Sequence, residues 1–364
     1  MTVVWDGIVG QERAVDLLKR AAERPVHAYL LVGPRGCGVE DAARAFAATL
    51  VAGDDARATD LVRRRIHPDV VEVDPPTTQL RVEDARRVID AAYRSPVEGD
   101  RKVIIVFDAE RLNDAAANKL LKTLEEPPPG AFLVLVTAGA DQLLPTIRSR
   151  CQRIDFAFLG STTVVAALES AGVEPERARL LAGLAGGRLD RARALDGRMA
   201  ATRRGFVDAA GELDGSGAGV AVHAELIQAA LQEAVTALEV AQGVEAAELE
   251  AVLEAAGYPE RVARAQRREV EERHRREHRR ARTDALIEGI TALETMYRDA
   301  LAAPGATPLN ADRPVLTSDP RACVRALEAC RRARQALAEH NPNEGLLLEW
   351  LLLHLPAVAD EADR

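Results

Sequence analysis

The sequence predicts an α/β domain at its N-terminal end followed by an all-α remainder. Three observations carry that expectation. Apolar runs of strand length alternate with helix-patterned segments over roughly the first 155 residues, the signature of a parallel sheet covered by helices on both faces. The first of those runs, His27-Ala28-Tyr29-Leu30-Leu31-Val32, ends on a glycine-rich loop, as a buried parallel strand feeding a helix does. After about Phe158 the strand signals fade, and Ala, Leu and Arg dominate the rest of the chain.

Taken in order, helical patterning follows the loop over 41–51. Asp69-Val70-Val71-Glu72-Val73 reads as a second strand stopped by Pro75-Pro76. The stretch 82–93 places Val82, Ala85, Val88 or Ile89, and Ala92 on one side of a helix. Lys102-Val103-Ile104-Ile105-Val106-Phe107 is the most apolar strand. A strong helix over 113–126 is closed by Pro127-Pro128-Pro129, and 131–137 is a further buried strand. Short helices are expected over 162–195 around Gly183, Gly186 and Gly187, and a loop over 212–219. A long helix should start near Pro259 and reach toward Ala303, ended by Pro304-Gly305. Its second half puts Leu286, Ile290, Leu293 and Tyr297 at 4-3-4 spacing, a stripe that faces a core. Its first half, 261–282, holds ten Arg against four Glu and reads as a solvated face with i,i+4 ion pairs, with subunit or nucleic-acid contact as the alternative. Aromatic residues that would stack on bases are missing from it.

Composition narrows the function classes. The chain has 364 residues, 47% hydrophobic and 29% charged, enough for two or three globular domains. A formal net charge of −9 argues against nucleic-acid binding by overall electrostatics, though not against a local basic patch. The four cysteines, Cys37, Cys151, Cys323 and Cys330, form no C-x-x-C pair, so they are expected as small buried hydrophobes in a reducing cytoplasm and no zinc site is expected. The opening residues lack the basic start and long apolar core of a secretory signal, and the apolar run 345–356 is too short to span a bilayer. A cytoplasmic protein without membrane contact is expected.

The glycine-rich loop is the most informative motif. An intact phosphate-binding loop reads G-x-x-x-x-G-K-[ST]: its glycines let backbone N–H groups wrap a phosphate, its Lys neutralises charge, and its hydroxyl holds Mg²⁺. Here Gly33, Gly36 and Gly38 survive, while Val39 stands in the Lys slot and Glu40 in the Ser/Thr slot. Valine carries no charge, and a carboxylate there repels a triphosphate. The shape is kept and the chemistry is lost.

Further motifs follow in one order: Val9-Gly10-Gln11, the altered loop, His67-Pro68-Asp69, the strand ending at Asp108, 118–127 (NKLLKTLEEP), and Thr146-Ile147-Arg148-Ser149-Arg150-Cys151. This set resembles the clamp-loader branch of the AAA+ ATPases. With the altered loop it resembles the delta-prime type of subunit in bacterial DNA polymerase III. The resemblance is specific over the first 195 residues. Beyond them it rests on helical character and on the ending Asn341-Pro342-Asn343-Glu344-Gly345-Leu346-Leu347-Leu348-Glu349-Trp350.

The resemblance implies a RecA-like AAA+ domain over 1–158, a small helical lid over 159–198 and a helical collar over 199–364 that joins subunits. It implies that an active third strand would end in adjacent Asp-Glu, one carboxylate for Mg²⁺ and one to activate water. Phe107 and Asp108 occupy those slots here, and a register starting at Asp108 puts Ala109 in the second. Asp108 then reads as a loop or helix N-terminal carboxylate. The polar sensor slot falls on Thr137 or Ala138, and on Ala138 by counting from Ser149. Arg191, within Gly186-Gly187-Arg188-Leu189-Asp190-Arg191, takes the second sensor slot, with a solvated or ion-paired role expected in the absence of a phosphate. No bound nucleotide, cofactor or metal is expected. The four-cysteine zinc module of many relatives is missing, since 49–66 has neither Cys nor His.

Arg150 is the exception. In the Ser-Arg-Cys motif of this family the arginine reaches the ATP site of a neighbouring subunit and stabilises transition-state charge in trans. That role needs no nucleotide on its own chain; the alternative is a surface arginine held in an ion pair. The implied function is a subunit without intrinsic ATPase activity inside a DNA-directed DNA polymerase holoenzyme. Its implied partners are the gamma/tau motor subunits and the delta subunit in a five-membered ring, and through the ring the sliding clamp and primer-template DNA. The rivals are a true AAA+ motor of gamma/tau or branch-migration type, and a regulatory module that binds nucleotide without hydrolysing it.

Overall fold

A computed structural model of the chain describes residues 4–74, 80–302, 305–313, 319–339 and 342–357. Pro75, Pro76, Ala303, Pro304 and Asn341, named above as boundary or motif residues, lie outside the described residues. In chain order the elements are α1 (Glu12–Glu23), β1 (Ala28–Val32), α2 (Val39–Ala52), α3 (Ala56–Arg63), β2 (Val70–Val73), α4 (Val82–Tyr93), β3 (Lys102–Val106), α5 (Asp114–Glu125), β4 (Ala131–Thr137), α6 (Pro145–Arg148) and β5 (Gln152–Asp155). Among the described residues helices alone follow: α7 (Ser161–Ser170), α8 (Pro175–Ala185), α9 (Leu189–Asp196), α10 (Ala200–Glu212), α11 (Gly217–Ala256), α12 (Glu260–Leu301), α13 (Pro320–Glu339) and α14 (Glu344–Leu353). The order is α/β and then all-α, as the sequence predicts.

The five strands form one parallel sheet in the order β2-β3-β4-β1-β5. Side chains alternate between its faces with period two. Tyr29, Leu31, Val103, Ile105, Val134 and Val136 pack under α1 and α2 with Leu18 and Phe46. Leu30, Ile104, Val106, Leu133 and Leu135 pack on the other face with Val88 of α4 and Leu120 and Leu124 of α5. Both faces are covered, which is why the central strands are apolar without a break. Asn113 caps α5 by accepting from the Ala116 N–H at 2.8 Å, and Asp55 caps α3 through Arg57 and Ala58.

The chain divides into two compact units. The first comprises Met1–Ala167, Gly187–Asp190 and Glu248–Val270; the second comprises Leu168–Gly186, Arg191–Ala247 and Glu271–Arg364. Within the first unit, Leu249, Leu253, Ala263 and Val270 pack on Leu61 and Ile66, so the turn between α11 and α12 forms part of the core beside α3. Within the second, Leu286, Ile290, Leu293 and Tyr297 are buried, as their spacing predicts. Gly289 lets Phe206 approach so closely that a Cβ there would meet its ring at 2.2 Å.

The Arg-rich run differs from the expected solvated face. Arg273 and Arg276 are buried. Arg267 makes a bidentate pair with Glu250 at 2.8 and 2.9 Å, Arg273 and His274 both meet Glu245, and Arg282 meets Glu344 at 2.7 Å. Those carboxylates sit on α11 and α14, so the run is neutralised largely by neighbouring helices and only in part by i,i+4 pairs.

Candidate functional site

The altered loop lies at the C-terminal end of β1, where parallel sheets place their ligand sites. Its glycines are retained for reasons of packing and backbone geometry. A Cβ on Gly33 would sit 2.5 Å from the Phe156 Cβ, because the chain leaving β5 crosses directly over it. Gly36 and Gly38 have φ of +76° and +93°, the left-handed region that favours glycine. The Gly36 carbonyl accepts from the Leu189 and Asp190 N–H groups at 2.9 and 3.3 Å, and Cys37 donates through Sγ to the Gly187 carbonyl. Burial pushes the Cys37 thiol above its ordinary pKa. Gln11, of the Val-Gly-Gln motif, is buried and donates to the carbonyls of Cys37 and Ala157 at 3.0 and 2.7 Å, fastening the loop to the exit of β5.

The protein's own side chains take up the places of a nucleotide's partners. Val39, in the Lys slot, is fully buried in the apolar layer between α2 and the sheet. Glu40 accepts from the Gly36 N–H, with its two oxygens at 3.3 and 3.4 Å, so a donor of the phosphate cradle is already used. Burial is the largest influence on Glu40 and pushes its carboxyl pKa up. Arg35 bridges Glu40 at 3.8 Å and Asp108 at 3.4 Å. Asp108 also meets Arg111 at 3.5 Å and has φ of +49°, a strained conformation for a residue with a Cβ. The Asp190 carboxylate fills the space over Gly36, where a Cβ would lie 1.6 Å from Oδ1, and Arg188 pairs with it at 3.2 Å. Each carboxylate beside the loop thus has an arginine, and the site is neutralised from within.

The remaining sites resolve as follows. Phe107 is buried, with the Arg44 guanidinium 5.1 Å from its ring centroid. Ala138 is exposed just after β4, whereas the buried Thr137 hydroxyl donates to Glu110 at 2.7 Å. Arg191 makes a bidentate pair with Glu288, with contacts from 2.7 to 3.2 Å. In His67-Pro68-Asp69, the Asp69 carboxylate accepts from Val97 and Glu98 N–H at 2.6 and 2.8 Å and shapes the approach to β3. The His67 Nδ1 accepts from the Asp69 N–H at 3.1 Å, which places its proton on Nε2, 3.3 Å from Glu98. Burial dominates and lowers the His67 pKa.

Arg150 follows α6 and precedes β5. Gln152 pairs with Tyr29 and Asp155 with Val32, so β5 runs alongside β1 and Arg150 stands before its first residue. The loop follows Val32 of β1, which is paired with Asp155, the last residue of β5. The strand length between them is about 13 Å, and Arg150 lies at the opposite end of the sheet from its own loop. It is partly exposed, with Nη1 donating to the Thr146 carbonyl at 2.8 Å and Nη2 to Glu125 at 2.5 Å. Ser149 is exposed and donates to Thr146; Cys151 packs into the α4/α5 layer, and burial raises its thiol to about 12. The motif therefore anchors through the cysteine and displays the arginine. Sequence reasoning missed Arg35, Asp190 and Glu125. All three sit inside motifs visible in the sequence, and their roles depend on neighbours that only the folded chain brings to them.

Residues 10–159 match the family described as "DNA polymerase III, delta subunit". The chain is 37% identical over 135 residues to the DNA polymerase III subunit delta' of Pseudomonas aeruginosa, covering 34% of this chain and 41% of that one. It is 33% identical over 183 residues to subunit delta' of Bacillus subtilis, covering 48% and 56%. It is 36% identical over 173 residues to subunit gamma/tau of Mycobacterium tuberculosis, covering 44% and 30%. The α/β part of the chain is thus homologous to DNA polymerase III subunits of the delta' and gamma/tau kind, and the matches span 30% to 56% of those relatives' lengths. Among the described residues no helix is long and apolar enough to cross a membrane.

Proposed function

We propose that this chain is a non-hydrolysing, delta'-type subunit of a DNA polymerase III clamp loader, working in the cytoplasm beside gamma/tau-type ATPase subunits. In this reading Arg150 reaches the triphosphate held by a neighbouring subunit, with Ser149 and Cys151 positioning it. The helical region 199–364 contributes to assembly with gamma/tau and delta, and the ring hands the sliding clamp to primer-template DNA. The observation that carries the reading is the contrast between the two ends of the sheet. At one end the loop is filled by Glu40, Arg35 and Asp190. At the other an arginine is displayed a strand's length from any phosphate its own chain could hold. An arginine so placed cannot serve a phosphate on its own loop, which supports a role on another molecule.

The likeness to gamma/tau also raises the motor reading. The buried Val39, the Glu40 carboxylate on the loop and the single Asp108 weigh against it.

The test is Arg150→Ala in a loader reconstituted with its gamma/tau and delta subunits. The chain's fold and assembly stay intact, because the side chain is partly exposed. ATP hydrolysis stimulated by clamp and primed DNA falls. A trans arginine contributes about 10³-fold or more at one site, so the bulk rate loses the share of that site and clamp loading falls further. Arg150→Lys does not rescue, since an ammonium lacks the planar fork. Wild-type ATPase and clamp loading in the Arg150→Ala loader refute the role.

A further inference from the structure

We propose that Glu125 is a latch that holds Arg150 back from the neighbouring subunit until a triphosphate competes for it, an inference that rests on the trans role of Arg150. Glu125 is the last residue of α5 and belongs to the 118–127 motif. A carboxylate at a helix C-terminus faces the negative end of the helix dipole, so helix stability gives no reason for it. Its partner does: Glu125 Oε1 receives Arg150 Nη2 at 2.5 Å. The other terminal nitrogen, Nη1, donates to the Thr146 carbonyl at 2.8 Å, which also accepts from the Ser149 hydroxyl at 3.2 Å. Both nitrogens of the fork are engaged on the arginine's own chain. The guanidinium has further N–H donors, but a phosphate approaching from a neighbouring subunit competes with Glu125 for its charge and direction.

The chemistry allows that exchange. Arg150 and Glu125 keep a third and about half of their side-chain surface in solvent, so the pair is weak and screened. A γ-phosphate carries more charge than one carboxylate and accepts both fork nitrogens. The latch therefore biases the arginine when the adjoining site is empty or disengaged and yields when that site closes on its triphosphate. Glu125 is a positioning residue, acting through Arg150.

The test uses the assembled loader with Glu125→Gln, Arg150→Ala and the double variant. ATP hydrolysis is measured without and with clamp and primed DNA. Glu125→Gln raises the unstimulated rate about two- to fivefold, the size of an exposed charge pair, and leaves the stimulated rate unchanged, so the stimulation ratio falls. Glu125→Lys, which repels the guanidinium, raises the unstimulated rate at least as far. High salt narrows the difference from wild type. In the Arg150→Ala background Glu125→Gln has no effect. An unstimulated rate unchanged by Glu125→Gln, a rate lowered as Arg150→Ala lowers it, or a rise that persists without Arg150 overturns the latch and leaves the trans arginine standing. Wild-type rates with Arg150→Ala overturn the trans role itself, and the latch with it.

Discussion

Two substitutions, Val39→Lys and Glu40→Thr, restore the written consensus of the phosphate loop, and they are expected to restore part of binding and none of the catalysis. Glu40 sits 3.3 Å from the Gly36 nitrogen, so a phosphate oxygen taking that N–H would lie about 4 Å from the carboxylate. Two unit charges 4 Å apart repel by about 4 kcal/mol at an effective dielectric of 20, or about three decades of Kd. Arg35 already offsets part of that charge, so Glu40→Thr alone is expected to gain less than ~10³-fold in Mg-ATP affinity, and the unmodified chain is expected to show no saturation at millimolar nucleotide. Val39→Lys adds a cation but also introduces an amine at a fully buried position, so thermal stability falls. Turnover stays at background in the double variant. Phe107 and Asp108 offer no adjacent Asp-Glu pair, and Asp108 is engaged by Arg35 and Arg111. Calorimetric titration with Mg-ATP and steady-state phosphate release measure both. Saturable micromolar ATP binding by the unmodified chain, or turnover by the double variant above a contaminant control, refutes the reasoning.

Other outcomes follow from single contacts. Gly33→Ala forces a methyl against Phe156 and costs about 1–3 kcal/mol, read as a lower melting temperature; an unchanged melt shows that Gly33 is not held by packing. His67 has its pKa lowered from 6.5, so the unfolded chain binds the proton more readily. Stability is then present above about pH 6.5 and is lost as pH falls toward the folded pKa. His67→Asn, which keeps an acceptor for the Asp69 N–H, flattens that acid limb in urea unfolding between pH 7 and 5; an unaltered slope rejects the assignment. Glu288→Gln removes the bidentate partner of the largely buried Arg191 and destabilises the helical unit by about 2–3 kcal/mol, with nucleotide titrations unchanged. An undiminished melt or altered nucleotide binding contradicts a structural role for Arg191.

What was legible in the sequence was local and periodic. The three central strands could be read because burial on both faces makes them continuous apolar runs, and α4 and α5 because their stripes repeat at helical spacing. The loss of phosphate chemistry at Val39 and Glu40 is written in residue identity alone. β5 was not legible: only Ile154 of its four residues is buried, and it is a strand because its backbone completes the edge beside β1. The grouping of Glu248–Val270 with the α/β unit was equally silent, since its apolar side chains meet Leu61 and Ile66 nearly 200 residues earlier. The same holds for the contacts that define the site. Arg35 with Asp108, Asp190 over Gly36 and Glu125 on Arg150 are set by how strand ends and helix ends converge in space. Such pairings repeat at no period along the chain, so the sequence determined which chemistry was absent, and only the tertiary structure decided what stands in its place.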